Sequence, residues 1–217
     1  MLMDRGPSSD PMALQPSPSI AFIPASVGTK AAKVSGGYTI VTKWVEKLDA
    51  DPLDRIFYGV IDRDAVNTAS GRIKVLGRYS FENYLLDPLN LFCLLLENGT
   101  PISVPGVQIS SGDEHLLREQ SDDELQAVAQ AVIARMETTE PGLATTATSV
   151  VAYTVGKQIT VPSWVIDHRG HDLLPIAQRA FGDTRIINPP RLIRALRRGR
   201  LLPIELATLL ANIQQGP

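Results

Sequence analysis

The sequence predicts an α/β fold with a mostly parallel central sheet flanked by helices. Three observations carry that prediction. Ile56-Phe57-Tyr58-Gly59-Val60-Ile61 is a nearly continuous apolar run that stops at Asp62, as a strand buried on both faces does. Short strand-like runs alternate with segments whose apolar residues recur at helical spacing, the pattern of a layered α/β domain. Composition agrees, with 217 residues, 44% hydrophobic and 20% charged, enough to build a substantial core.

Residues 1–18 mix Pro, Ser, Gly and Asp with few large apolar groups. Such a stretch buries too little surface to offset its ordering entropy, so a disordered lead-in is expected, followed by one α/β domain over 19–217. Ile20-Ala21-Phe22-Ile23-Pro24 reads as a buried strand closed by proline. After Gly36-Gly37, the residues Ile40, Val41, Trp44, Val45 and Leu48 fit one face of a helix from Tyr38 to Leu48. The Ile56–Ile61 strand follows, then a second short strand from Arg72 to Leu76. Ser80 is placed to cap a helix starting at Phe81, and Pro88 suits the first turn of the next.

The clearest amphipathic helix runs from Asp122 to Thr138, with Leu125, Val128, Val132, Ile133 and Met136 in one stripe. With the acidic stretch before it, this makes residues 113–139 a helical insertion. Thr148 to Val155 is β-branched and strand-like, and Trp164-Val165-Ile166 reads as a further strand. Helices are expected from His171 to Phe181, from Pro190 to Arg198 and from Pro203 to Ile213, so that 170–215 form a helical C-terminus.

Charge and cysteine content narrow the function classes. The formal net charge is −2, which argues against a protein that coats nucleic acid or a basic membrane binder. Cys93 is the single cysteine, so no intrachain disulfide and no multi-cysteine zinc site can form. No apolar run reaches the roughly 20 residues of a membrane span, and the N-terminus lacks a signal-peptide order. A cytoplasmic protein is expected.

The chemistry-bearing feature is Val60-Ile61-Asp62-Arg63-Asp64. In open parallel sheets, ligands collect outside the carboxyl ends of the strands. Acids at i and i+2 of an extended chain project to the same side. Two such carboxylates repel, and a hard cation such as Mg²⁺ or Mn²⁺ relieves that repulsion. The plainer reading is that a strand-end Asp caps the following turn. Arg191, Arg194 and Arg198 share a helical face that suits either a phosphate backbone or solvent.

Beyond Asp64, a variable loop and the 72–76 strand lead to Gly77-Arg78-Tyr79-Ser80-Phe81-Glu82-Asn83-Tyr84-Leu85-Leu86. This order of apolar strand, D-R-D, strand and R-Y-S-x-E-N-Y-L-L resembles the TOPRIM-type domain of OLD-family nucleases. It is also similar to domains found beside ABC-type ATPases in bacterial defence. Arg169-Gly170-His171-Asp172-Leu173-Leu174 resembles the G-[HK]-x-L segment of those domains, and Leu202-Pro203-Ile204-Glu205-Leu206 a stretch near their end. The resemblance spans roughly residues 19–213.

The resemblance implies a TOPRIM-like fold and metal-dependent phosphodiester cleavage of nucleic acid, most simply DNA. It makes Asp62 and Asp64 ligands of Mg²⁺ or Mn²⁺ and catalytic residues, with Glu82 a further ligand. Arg169, His171 and Arg78 become substrate contacts, with pairing to a nearby carboxylate the alternative role for Arg78. It also implies a partner ATPase, since this chain has no G-x-x-x-x-G-K-[ST] loop, and is compatible with a homo-oligomer. One departure stands out. The family carries a glutamate at the end of its first strand, whereas the first Glu here is Glu46. The sequence therefore reads as beginning one strand late, and the rival expectation is an inactive TOPRIM-like module with a regulatory or docking role. A phosphotransfer domain using Asp62 fits the second acid and the E-N-Y-L-L segment less well.

Overall fold

The computed structural model describes residues 28–29, 32–33, 38–49, 57–64, 67–182 and 184–215. The lead-in expected over 1–18 and the strand expected at Ile20–Pro24 lie outside the described residues. Within them the chain is a mixed α/β protein in which helix predominates. Short strands β1 (Gly28–Thr29) and β2 (Ala32–Lys33) pair antiparallel. Helix α1 (Tyr38–Asp49) precedes β3 (Gly59–Ile61), which pairs in parallel with β4 (Ile73–Val75) in the register Gly59↔Ile73, Val60↔Lys74 and Ile61↔Val75. A Cβ at Gly59 would lie 2.6 Å from Val41 Cγ1 and 3.2 Å from Val45 Cγ2. Glycine is thus what lets α1 sit directly on β3.

Helices α2 (Phe81–Leu85) and α3 (Pro88–Glu97) follow. Every residue of α3 from Pro88 to Leu96 is buried, and a helix apolar all round belongs inside a protein. Its start is fixed by Asp87, whose carboxylate accepts from Leu89 N–H at 3.1 Å. A 3₁₀ segment (Glu114–Glu119) leads to α4 (Asp122–Thr139), where Ser121 and Glu124 cap each other's backbone N–H. The stripe read from the sequence is the buried face: Leu125, Val128, Val132, Ile133 and Met136 are all buried. This segment is no appendage. Helix α4 packs on α3, α6 (Gly170–Phe181) and β6 (Gln158–Pro162) in the main core.

The sheet is where expectation and structure part. A mostly parallel central sheet was expected; the described strands form three two-stranded sheets, and the longest ladder is the antiparallel pair β5 (Thr148–Ala152) and β6. The reason is a tight turn inside the expected 148–155 strand. Tyr153 N–H donates to Lys157 O, Gly156 N–H donates to Tyr153 O, and Gly156 sits at φ +76°, a conformation natural to glycine. The chain reverses there, and a two-stranded reversal is antiparallel. The returning strand alternates buried Ile159 and Val161 with exposed Gln158 and Thr160.

Trp164–Ile166, expected as a strand, is instead the helical turn α5 (Trp164–Asp167). Three apolar residues carry no period with which to tell the two apart. The remaining helices, α6, α7 (Pro189–Gly199) and α8 (Ile204–Gln215), match their expected spans closely. No helix among the described residues is long and apolar enough to cross a membrane.

Candidate functional site

Three segments meet at the carboxyl end of β3: the loop 62–64, the start of α2, and the loop from α5 into α6. Backbone bonds fasten them in series. Asp64 N–H donates to Tyr79 O (3.3 Å), and Tyr79 N–H donates to Ile166 O (2.8 Å). Asn83 adds a side-chain clamp. Its Oδ1 accepts from Ser80 N–H (3.1 Å), while its Nδ2 donates to Val165 O (3.1 Å) and His168 O (2.9 Å). Gly170 permits the last approach, since a Cβ there would lie 2.2 Å from Ser80 Oγ and 2.8 Å from Glu82 Cβ.

Asp62 lies just past the strand, and its Oδ1 accepts from Phe81 N–H at the first turn of α2 (3.1 Å). Asp62 is exposed, yet the protein packed against it removes part of its hydration and pushes the carboxyl pKa up. The Phe81 N–H opposes that shift, and the negative charges of Glu82 and Asp64 add to it. Glu82 and Asp64 thus each act electrostatically on Asp62.

They do not meet by strand alternation. The strand ends at Ile61, and Asp64 adopts φ +37°, a left-handed conformation that Asp tolerates better than most residues. A turn, not a pleat, brings Asp64 beside Asp62.

The other predicted residues divide. Arg169 and His171 are exposed on either side of buried Gly170, the residue that packs against Glu82 Cβ; His171 Nε2 lies 2.9 Å from Asp172 Oδ1. Arg78 is elsewhere. Its side chain is fully buried, with Nε donating to Glu205 and a terminal nitrogen donating to Asp87 and to Asn83 O, all at 3.0 Å. The guanidinium also lies 4.8 Å above the Tyr84 ring. The expectation that Arg78 contacts substrate is therefore corrected: a phosphate cannot reach it.

On α7, Arg191 donates to Asn98 Oδ1 (2.5 Å), Arg194 pairs with Glu97 (2.5 Å) and Arg198 with Glu114 (3.4 Å). That face is turned toward the end of α3 and the 3₁₀ segment.

One participant was missed. Asp167 forms an ion pair with Arg63, whose guanidinium also donates to Gly77 O (3.1 Å). A signal existed in the sequence, because Val165-Ile166-Asp167 repeats the tripeptide Val60-Ile61-Asp62. Each copy delivers an aspartate to the same junction.

Comparison of the chain with protein families, with curated proteins and with solved structures finds no match.

The donor set suits a hard cation in chemistry, being made of carboxylate oxygens. Among the described residues, no group of three or more His, Cys, Asp or Glu is placed to hold a metal ion. No closed protein cage is therefore built among those residues. Mg²⁺ does not require one, since it commonly keeps several waters and takes only one or two carboxylates.

Proposed function

We propose that this chain is a TOPRIM-like, Mg²⁺- or Mn²⁺-dependent nuclease domain of the cytoplasm that cleaves nucleic acid, most simply DNA, alongside an ATPase partner in bacterial defence. One observation carries the reading. At the end of a parallel-paired strand, Asp62 is oriented by the Phe81 N–H and carries a raised pKa from lost hydration and the charges of Glu82 and Asp64. A carboxylate so placed gains most from a cation, and perturbed acids gather at functional sites. Bound there, the cation would activate water and offset charge on a phosphoryl group. Asp62 would be its principal ligand, with Asp64 and Glu82 contributing directly or through water. Arg169 and His171, exposed on either side of Gly170, are the substrate contacts.

Calorimetry tests the metal step. Mn²⁺ binding is expected in the native chain and is abolished by Asp62→Ala and reduced by Asp64→Ala or Glu82→Ala. Equal binding by all variants would refute the assignment. Metal-dependent nicking of plasmid by the native chain, lost in Asp62→Ala, tests the reaction itself.

A second reading has its own support. Arg63 already brings a cation between the 62–64 loop and Asp167, and no three-acid group closes around a metal among the described residues. Those features favour an inactive TOPRIM-like module that docks onto or regulates a partner. Metal binding without cleavage would select this reading.

A further inference from the structure

The β5–β6 hairpin treats its two edges differently. On β6 the outward N–H and C=O of Thr160 are both taken by one side chain. Gln126 Oε1 accepts from Thr160 N–H (2.7 Å) and Gln126 Nε2 donates to Thr160 O (2.9 Å). The amide of a helix residue thus occupies the place of a neighbouring strand. On β5 the outward groups belong to Thr148, Val150 and Ala152, because the alternating pairs Ala147–Ser163 and Tyr153–Lys157 carry the inward bonds. The far end of this edge is covered: Tyr153 bridges to Pro203, and Thr154 N–H donates to Leu202 O (3.0 Å). Among the described residues, nothing pairs with the backbone at Thr148 and Val150.

Natural edge strands are ordinarily guarded by charge, proline or a bulge. This one has none of them. From Pro141's successor Gly142 to Gly156 there is neither a charged residue nor a proline. Val150 adds a side chain that is 65% exposed, more than any other large hydrophobic group among the described residues. Neutrality matters for what can dock. Two identical edges meet without like charges facing each other, whereas nothing on this edge would select a charged foreign strand.

We propose that β5 is a self-association edge, pairing antiparallel with β5 of a second copy of this chain about a two-fold axis at Ser149. In that register Thr148 faces the second copy's Val150 in a hydrogen-bonded pair, and the reciprocal pair completes the contact, as a two-fold interface requires. A two-stranded sheet becomes a four-stranded one, and the exposed Val150 side chains gain neighbours across the new ladder. The contact is independent of the acid site.

Sedimentation velocity on the full chain across a concentration series tests it, with hydrogen exchange read at single amides. A concentration-dependent dimer is expected, and in it the Thr148 and Val150 amides exchange more slowly than in the monomer. Val150→Lys, on an exposed position, sets like charges across the axis and weakens dimerisation by about a hundredfold. Val150→Pro, which removes the outward N–H and none of the inward ladder donors, does the same, and Val150→Thr leaves the dimer intact. Far-UV circular dichroism confirms that each variant folds. A chain that stays monomeric at all concentrations overturns the proposal, as does a dimer unmoved by both Val150→Lys and Val150→Pro. A foreign strand as the true occupant would show itself as the first of these results.

Discussion

Arg78 and Asp87 form an ion pair at 3.0 Å with both side chains almost wholly sealed from water. Asp87 also accepts from Tyr153 Oη at 3.0 Å and starts α3, while Arg78 reaches on to Glu205 of α8. The pair therefore joins the segment before α2 to three other elements. Burial works against the Arg78 charge, but the Asp87 carboxylate and its neighbours outweigh it, and the pKa is held above its ordinary value. Removing one member strands a buried charge, at a cost of about 3–5 kcal/mol. Arg78→Met and Asp87→Leu are each expected to lower unfolding free energy by that amount in urea titrations. The double variant loses less than the sum, which a double-mutant cycle reads directly.

The Asp62 carboxyl supplies a pH signature. Its folded pKa lies above the ordinary 3.8, so the native state holds a proton that the unfolded chain releases. Stability then falls as pH rises from the unfolded value through the folded one. Asp62→Asn keeps an acceptor for Phe81 N–H and removes the charge. With divalent cations chelated, its melting temperature is expected above that of the native chain at pH 7, the gain vanishing once the pH drops below 3.8. A variant that melts lower at pH 7 would contradict the crowding of charge around Asp62.

Gly170 tests the approach of α6 to α2. A methyl group there must displace Ser80 Oγ, which is bonded to Asn83 at the N-cap of α2, and Glu82 Cβ, which the backbone of α2 fixes. Gly170→Ala is expected to cost about 1–3 kcal/mol, the range of overpacked sites, and to weaken Mn²⁺ binding measured by calorimetry. Loss of stability with unchanged metal affinity would separate the packing from the site.

At the start of α4, Ser121 Oγ accepts from Glu124 N–H (3.2 Å), and the Glu124 carboxylate accepts from Ser121 N–H (2.8 Å). Ser121→Ala is expected to cost about 1 kcal/mol in chemical denaturation. Bonds to the Ser121 backbone and hydroxyl hold the Glu124 pKa below its usual value. The capping contribution is therefore full at neutral pH and is lost as pH falls through that lowered value. Glu124→Gln should flatten this part of the acid response.

Helices announced themselves in the sequence where a full apolar stripe was present, as in α4, or where proline marked a first turn, as at Pro88 and Pro190. The hairpin was missed because its turn residues, Thr154-Val155-Gly156, are apolar or β-branched apart from one glycine. Motif order singled out the acids at 62, 64 and 82, of which the structure shows Glu82 and Asp64 each acting on Asp62; the turn at Asp64 was not legible, since a positive φ leaves no mark in residue type. Arg78 misled for a different reason. Local motif order cannot show that its partners, Asp87 and Glu205, wait inside the fold, one of them 127 residues away.

The serial fastening of Asp64 to Tyr79, and of Tyr79 to Ile166, means that none of the three loops around Asp62 can shift alone. Arg63 doubles the linkage by bracing Gly77 and Asp167 at once. A ligand that draws in the acidic loop would therefore pull on α5 and the bend that follows it, so the two segments would move as a geared pair.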